Sequence, residues 1–299
     1  MIPFTKAHAC GNDFLIVTEE DAAGHDLAGL TRRLCARNTG IGADGVEFFS
    51  WMGDRSGSIR LHNADGSVAE ISGNGTRCVA AWMAEETNAQ SGDELSITTD
   101  AGIRICTIEE FRDSDNGPTV LVTTDMDVPE FEKRTVELSD GTQIDGVFVS
   151  MGNPHFVIVA PHIDFDLLSG VSWSDVSAAM LDSIDFSIGG RSWEDVGEEI
   201  CFHPDFPEQT NVEFVHVLGS ASEPIHQVAI RIFERGVGPT SSSGTGTSAV
   251  STAMIGAYGA ANELEVLAPG GSQTVKWQGP GEKLYLTGPA VLVARGEAW

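Results

Sequence analysis

The chain has 299 residues, of which 41% are hydrophobic and 20% charged, a composition typical of one large or two ordinary globular domains. Its formal net charge of −27 argues against nucleic acid or an anionic membrane as a partner, because no basic surface is available to meet phosphates. No apolar run reaches the roughly 18 residues of a membrane-spanning helix, and the first residues lack a signal-peptide pattern, so we expect a cytoplasmic protein.

Short apolar or alternating runs predict a series of strands, separated by turn signals such as NADG and GNP. Two runs of small residues, 76–86 and 247–260, predict helices, and neither has a strongly polar face. We therefore expect each helix to be buried in the middle of its sheet, in an α+β fold. The predicted strands are 14–18, 46–50, 58–63, 96–100, 119–125, 156–160, 212–217 and 228–234.

Two segments interrupt this pattern. Residues 126–135 predict a linker between two halves of the chain, and residues 161–207 predict an insert made of a helix and an acidic surface excursion. We expect an N-terminal half of residues 1–128 plus 284–299, and a C-terminal half of residues 129–283.

The five cysteines include no CxxC pair and no zinc-type spacing with histidine. This pattern predicts neither a disulfide framework nor a metal site, and most of the cysteines are expected to be small buried residues.

The chain contains the sequence Ser-Gly-x-Gly-Thr twice, at Ser72 and at Ser243. Four echoes in the same order indicate a duplicated unit and predict two similar domains that face each other. The other three pairs are GNDF at 11–14 with GNPHF at 152–156, GVEFF at 45–49 with NVEFV at 211–215, and IRLHNADG at 59–66 with IRIFERG at 230–236.

A glycine-rich turn that opens a helix presents backbone N–H groups and the positive end of the helix dipole, which together attract an anion. A carboxylate is a better candidate than a phosphate, because the chain lacks both the Walker lysine pattern and the GxGxxG fingerprint with its acid. The alternative is that Ser72 and Ser243 only cap their helices.

Two facing loops of this kind suggest proton transfer at one carbon. A base on one side of an α-carbon can remove its proton, while an acid on the other side returns one. The helix N-termini would stabilise the enolate-like carbanion formed between these steps. Such a reaction requires neither a metal nor pyridoxal phosphate, so we predict no cofactor.

Six motifs, in order, resemble those of the diaminopimelate epimerase family. The resemblance implies two pseudo-symmetric halves, each a mixed β-sheet or barrel wrapped around a central helix, with the site in a cleft. It implies a cofactor-independent isomerase of lysine and cell-wall biosynthesis that converts LL-diaminopimelate to meso-diaminopimelate by two-base proton transfer. The implied partner is an amino-dicarboxylate substrate. The sequence leaves open whether the chain forms a homodimer. The motifs are HACGNDFLIV, NTGIGADGVEFF, HNADGSVAEISGNGTRCVAAW, VSMGNPHFVIV, HPDFPEQTNVEFV and FERGVGPTSSSGTGTSA.

The resemblance also implies the residues of the site. The family's two catalytic cysteines correspond to Ser72 and Ser243, and His155 and Glu234 are the further catalytic candidates. The implied substrate-binding residues are Asn12, Asn63, Gly73, Asn74, Asn153, Asn211, Glu234, Arg235, Gly244 and Thr245.

Several of these residues also have a simpler interpretation. Asn12 and Asn153 occur where turns are expected, and His155 can be a structural histidine. Glu234 and Arg235 can form a surface pair, although the apolar strand before them makes this less favourable.

The serines put the family's chemistry in question. A thiol has a pKa of about 8.5, whereas a serine hydroxyl becomes a base only with the help of a neighbouring group. Cys78, six residues after Ser72, is not an obvious replacement. Three explanations stay open: an engineered form with both cysteines replaced, a related isomerase or dehydratase acting on another small carboxylate, or a relative that binds an amino acid without turnover.

Overall fold

Two compact units make up the computed structural model of the chain. The first contains Met1–Asp125 and Thr287–Trp299, and the second contains Met126–Leu286. The structure describes residues 1–69, 72–114, 117–160, 184–218 and 224–299.

The elements are numbered in chain order. The first unit contains strands β1 (Ile2–Ala9), β2 (Asn12–Thr18), β3 (Gly45–Gly53), β4 (Ser56–Asn63), β5 (Val68–Ala69), β6 (Glu94–Thr99), β7 (Gly102–Ser114) and β8 (Gly117–Asp125), with helices α1 (Leu27–Cys35) and α2 (Gly73–Glu86). The second contains strands β9 (Glu130–Glu137), β10 (Gln143–Ser150), β11 (Pro154–Val159), β12 (Asn211–Leu218), β13 (Gln227–Glu234), β14 (Gly238–Thr240), β15 (Glu263–Ala268) and β16 (Gly271–Trp277), with helices α3 (Trp193–Cys201) and α4 (Gly244–Tyr258). Strand β17 (Leu284–Ala298) begins in the second unit and continues into the first.

Eight strands of the first unit close into a barrel. They pair in the order β1, β2, β3, β4, β6, β7, β8 and β17, and β17 pairs back to β1. Helix α2 packs against β1, β2, β6, β7 and β8, and every residue from Gly73 to Ala84 is buried. The expectation of a buried central helix is confirmed for this unit.

The second unit repeats the same series of pairings. Strands β11 and β12 are parallel, β12 and β13 antiparallel, β13 and β15 parallel, and β15 and β16 antiparallel, as are their counterparts from β2 to β7. Helix α4 packs against β9–β12, β15 and β16, and is buried from Gly244 to Met254. The predicted α+β fold, with a sheet around a helix in each half, is confirmed.

The predicted linker at 126–135 is wrong over most of its length. Residues from Glu130 onward form β9, which pairs antiparallel with β10. Most β9 side chains are exposed or half-buried, so the strand lacks the apolar alternation that would have revealed it.

The described part of the predicted insert contains a helix. Segment 161–183 of the insert lies outside the described residues. Further along, α3 is an amphipathic helix that packs against β12 and β13, and Val196 and Ile200 join the core around Phe214. A helix was expected in this insert, and apolar residues four positions apart give α3 a buried stripe. Among the described residues, no helix combines the length and apolar character needed to cross a membrane.

Candidate active site

Each of the two predicted serines heads a helix. Ser72 is the N-cap of α2 and Ser243 is the N-cap of α4, both with extended backbone conformations. Ser72 Oγ accepts a hydrogen bond from the Gly75 N–H at 3.0 Å, and Ser243 Oγ accepts one from the Gly246 N–H at 3.2 Å. The capping interpretation is therefore right for both, and each hydroxyl still has its own proton to donate.

The first turns of α2 and α4 have the features of an anion site. Gly73 and Asn74 begin α2, Gly244 and Thr245 begin α4, and all four are buried. Neither first turn contains an acidic residue. The first N–H groups of a helix lack partners within it, so a substrate carboxylate can accept hydrogen bonds there.

A buried carboxyl lies behind each loop. A β-carbon built on Gly75 would fall 2.0 Å from Glu47 Oε1, and one built on Gly246 would fall 2.9 Å from Glu213 Oε1. Both glutamates are fully buried. The second glycine of each motif thus leaves room for an acid from the neighbouring strand. The sequence prediction missed both acids, although the echo of GVEFF in NVEFV contains them.

The strand registers show that the two loops have different neighbours. Phe14 pairs with Gly45 between β2 and β3, and His155 pairs with Asn211 between β11 and β12. Phe14 therefore occupies the position in the first unit that His155 occupies in the second.

A second difference lies one strand further along. Asn63 is the last residue of β4 and Glu234 is the last residue of β13, at equivalent points of the two registers. The Ser243 loop is thus accompanied by an imidazole and a carboxyl, where the Ser72 loop has a phenyl ring and an amide.

The Ser243 loop belongs to a hydrogen-bonded network. His155 Nδ1 lies 2.7 Å from Glu213 Oε1, and His155 Nε2 lies 3.0 Å from Asn153 Oδ1. The Asn153 amide donates to Thr245 Oγ1 at 3.5 Å. Burial raises the pKa of Glu213, while the charge and hydrogen bond of His155 lower it. With both ring nitrogens engaged, His155 fixes Asn153 against the first turn of α4.

Glu234 lies beside Ser243. Burial raises the pKa of Glu234, and the charge of Glu213 raises it further. Interaction with the Ser243 hydroxyl is the strongest effect that lowers this pKa. Ser243 therefore has a neighbouring carboxyl, which is the general base that a serine hydroxyl needs.

The Ser72 loop has a network of neutral amides held by charged groups. The Asn12 amide donates to Asp44 Oδ2 at 2.7 Å, and Asn74 Nδ2 donates to Asn12 Oδ1 at 3.1 Å. Arg37 forms an ion pair with Asp44 at 2.7 Å, and the buried Arg77 donates to Asn74 Oδ1. This network fixes Asn74 in the first turn of α2. The sequence prediction identified the two asparagines but missed the charged residues that orient them.

The remaining predicted residues lie near the strand ends. The Asn63 amide donates to Ser67 Oγ at 3.1 Å. Asn211 Oδ1 accepts from the Arg235 backbone N–H at 3.0 Å. The guanidinium of Arg235 is exposed and donates to the Glu208 carbonyl at 2.9 Å. Asn211 thus holds the backbone of Arg235, whereas the side chain of Arg235 contacts the backbone of Glu208.

Cys78 does not supply the missing thiolate. Burial raises its pKa well above the ordinary range, against the smaller lowering effect of Arg77. All five cysteines are free, and they are buried as expected. Within the part of the chain that the structure describes, no group of three His, Cys, Asp or Glu side chains has the arrangement of a metal site.

Solved structures of other proteins share this fold, and one of them is an epimerase. A hydroxyproline epimerase from Agrobacterium vitis superposes with a TM-score of 0.64 at 15% identity, covering 99% of this chain and 90% of that one. A phenazine biosynthesis protein from Bacillus anthracis gives a TM-score of 0.64 at 17% identity, covering 100% and 99%. At these identities the likeness shows the fold alone.

The sequence comparisons are more specific. The sequence model of the family described as diaminopimelate epimerase matches residues 4–131 and 147–293. A diaminopimelate epimerase from Moorella thermoacetica is 33% identical, and one from Carboxydothermus hydrogenoformans is 34% identical, each over 98% of this chain and 98% of its own length. The chain belongs to the diaminopimelate epimerase family, a family of isomerases.

Proposed function

We propose that this chain is an isomerase that inverts the α-carbon of LL-diaminopimelate to give meso-diaminopimelate, by two-base proton transfer and without a cofactor. Membership of the family supports the substrate and the reaction. The feature that carries the proposal is the Glu234 carboxyl at the end of β13, whose pKa burial raises and the neighbouring Ser243 hydroxyl lowers. It answers the difficulty raised by serine, because the carboxyl supplies the base that the hydroxyl lacks.

The proposed reaction begins with loss of the α-proton. The carboxylate of Glu234 takes this proton, directly or through the Ser243 hydroxyl, and the C–H electron pair stays on the substrate as an enolate-like carbanion. First-turn N–H groups such as those of α2 and α4 stabilise its carboxylate oxygens. Ser72 then returns a proton to the carbon, which completes the inversion.

The other predicted site residues are proposed to bind the substrate. Neutral amides suit a zwitterionic ligand, because they hydrogen-bond either of its charged ends without a charge of their own. Arg235 must first release the Glu208 carbonyl before it can hold a carboxylate as a bidentate fork. We further propose a role in lysine biosynthesis, in the cytoplasm, with a homodimer as the assembly to test. The proposed binding residues are Asn12, Asn63, Gly73, Asn74, Asn153, Asn211, Glu234, Arg235, Gly244 and Thr245.

The direct test follows α-deuterium incorporation and inversion of LL-diaminopimelate in heavy water. The wild type is compared with the Ser72→Cys plus Ser243→Cys double variant and with Glu234→Gln. We expect exchange and inversion by the wild type, faster turnover by the double variant and loss of exchange by Glu234→Gln. If neither the wild type nor the double variant exchanges the α-hydrogen, the assignment to this substrate is wrong.

One observation favours a second candidate. His155 and Glu234 accompany the Ser243 loop, whereas Phe14 and Asn63 stand at the equivalent positions near Ser72. A single base suits a dehydration or a double-bond shift on another small carboxylate. That candidate predicts deuterium exchange on diaminopimelate without inversion. A binding protein without turnover would instead show heat of binding by calorimetry and no chemical change over hours.

A further inference from the structure

Glu47 is a buried acid that the proposed reaction leaves unused. It is fully buried, and neither carboxyl oxygen has a hydrogen-bond partner among the described residues. Its counterpart Glu213 has His155 as a partner, but the first unit has Phe14 at the histidine position. Burial alone raises the pKa of Glu47 to about 8. An isolated buried carboxyl avoids the cost of an unpaired charge by keeping its proton.

The carboxyl points toward the Ser72 loop. Along β3, Val46 and Phe48 belong to the core on the outer side, so the alternation of a strand directs Glu47 to the inner side with α2. A β-carbon built on Gly75 would lie 2.0 Å from Glu47 Oε1 and 3.2 Å from Ser72 Cβ. The Glu47 carboxyl oxygen therefore lies within about 5 Å of the Ser72 β-carbon, on the side of the helix terminus.

Among the described residues, no acid hydrogen-bonds to the Ser72 hydroxyl. Its oxygen accepts from the Gly75 N–H, and no described imidazole hydrogen-bonds to it. The Ser243 hydroxyl, by contrast, has Glu234.

We propose that Glu47 is a positioning residue that holds the proton for Ser72 and acts through it, an inference that rests on the proposed function. As the new C–H bond forms, the Ser72 O–H bond breaks and its proton joins the electron pair of the carbanion. Ser72 takes a proton from Glu47 through one bridging water, which leaves Glu47 as a carboxylate. Glu234 holds the proton removed from the substrate, and exchange with solvent returns both acids to their starting states.

This arrangement explains why an acid accompanies a serine at this loop. A cysteine thiol ionises near neutral pH and can give up its own proton, whereas a serine hydroxyl cannot do so alone. An unpaired buried carboxyl lowers the stability of the fold, and such costs are typical of residues kept for function.

The test measures inversion relative to α-deuterium exchange with LL-diaminopimelate in heavy water. Glu47→Gln keeps the shape of the side chain but removes its acidic proton, so inversion should fall by about 100-fold or more while exchange through Glu234 continues. The matched control is Glu109→Gln, an exposed glutamate on β7 of the same unit, which should behave as wild type. In a Ser72→Cys background, Glu47→Gln should change inversion by less than about two-fold, because the thiol carries its own proton.

A structural role for Glu47 predicts other results. An equal loss of inversion in the serine and cysteine backgrounds, or an unchanged ratio of inversion to exchange in Glu47→Gln, would overturn the inference.

Infrared difference spectra provide a readout that needs no turnover. The wild type minus Glu47→Gln spectrum at pH 7 should contain a protonated carboxyl band that shifts in Ser72→Ala. Absence of this band overturns the inference, whereas absence of deuterium exchange in the wild type refutes the proposed function.

Discussion

Replacement of Glu47 by leucine should stabilise the protein at neutral pH. The folded-state pKa of about 8 lies above the ordinary value of 4.5, so the folded chain binds this proton more tightly than the unfolded chain does. The stability linked to the proton is complete below about pH 4.5 and is lost as the pH rises toward 8. From a shift of this size, about 3 kcal/mol is lost by pH 7 but less than about 1 kcal/mol by pH 5. The advantage of Glu47→Leu should therefore grow by about 2 to 3 kcal/mol between pH 5 and pH 7.

Urea unfolding of the wild type and of Glu47→Leu, at both pH values and one salt concentration, measures this advantage. All other titrating groups are shared by the two proteins, so their contributions cancel in the difference. Glu109→Leu, at an exposed position of the same unit, is the control for replacing a surface glutamate by leucine. If the Glu47→Leu difference is the same at pH 5 and pH 7, the carboxyl is not held in its protonated form and the reasoning fails.

Three further predictions concern the packing around the loops. Gly75→Ala places a β-carbon against the Glu47 carboxyl and should lower stability by about 1 to 3 kcal/mol in thermal unfolding, a loss that Glu47→Ala should relieve. His155→Phe leaves Glu213 buried without its partner and should cost about 3 to 5 kcal/mol in urea unfolding; addition of Glu213→Leu should restore most of this, and simple additivity would contradict the pairing. Ser192→Ala removes the N-cap of α3 and should lower stability by about 1 kcal/mol without changing deuterium exchange; a large change in exchange would show that α3 does more than cover the sheet.

The strands and helices that were predicted correctly are those whose burial produces a recognisable run of apolar or small residues in the sequence. Strands such as β3 and β12 are rich in valine and phenylalanine, and α2 and α4 are runs of small residues with no strongly polar face. Strand β9 was not predicted, because its exposed charges hide the few side chains that pack, such as Val136. Helix α1 also escaped prediction, since its nine residues provide only a short stripe around Leu30 and Leu34.

For the site as well, the sequence identified the residues that belong to a repeated motif but not those whose role depends on the direction of a side chain. The repeated motif identified Ser72 and Ser243, and the structure confirms that each heads a helix. Glu47 and Glu213 could not be assigned from the sequence, because one acid in an apolar strand has the same appearance whether it faces solvent or a helix terminus. The position of Phe14 opposite His155 becomes informative only when the strand registers fix the equivalence of the two residues.

Strand β17 is the last strand of the first unit to be synthesised, and it completes the barrel of that unit. Its segment from Thr287 onward fills the gap between β1 and β8, yet the whole second unit is translated before this segment. The nascent first unit therefore waits at the ribosome as an open sheet with two bare edges, each a template for strands of neighbouring chains. A chain that stops at Leu286 would remain in that state. The residues after Leu286 therefore protect the first unit from aggregation by pairing with both edge strands.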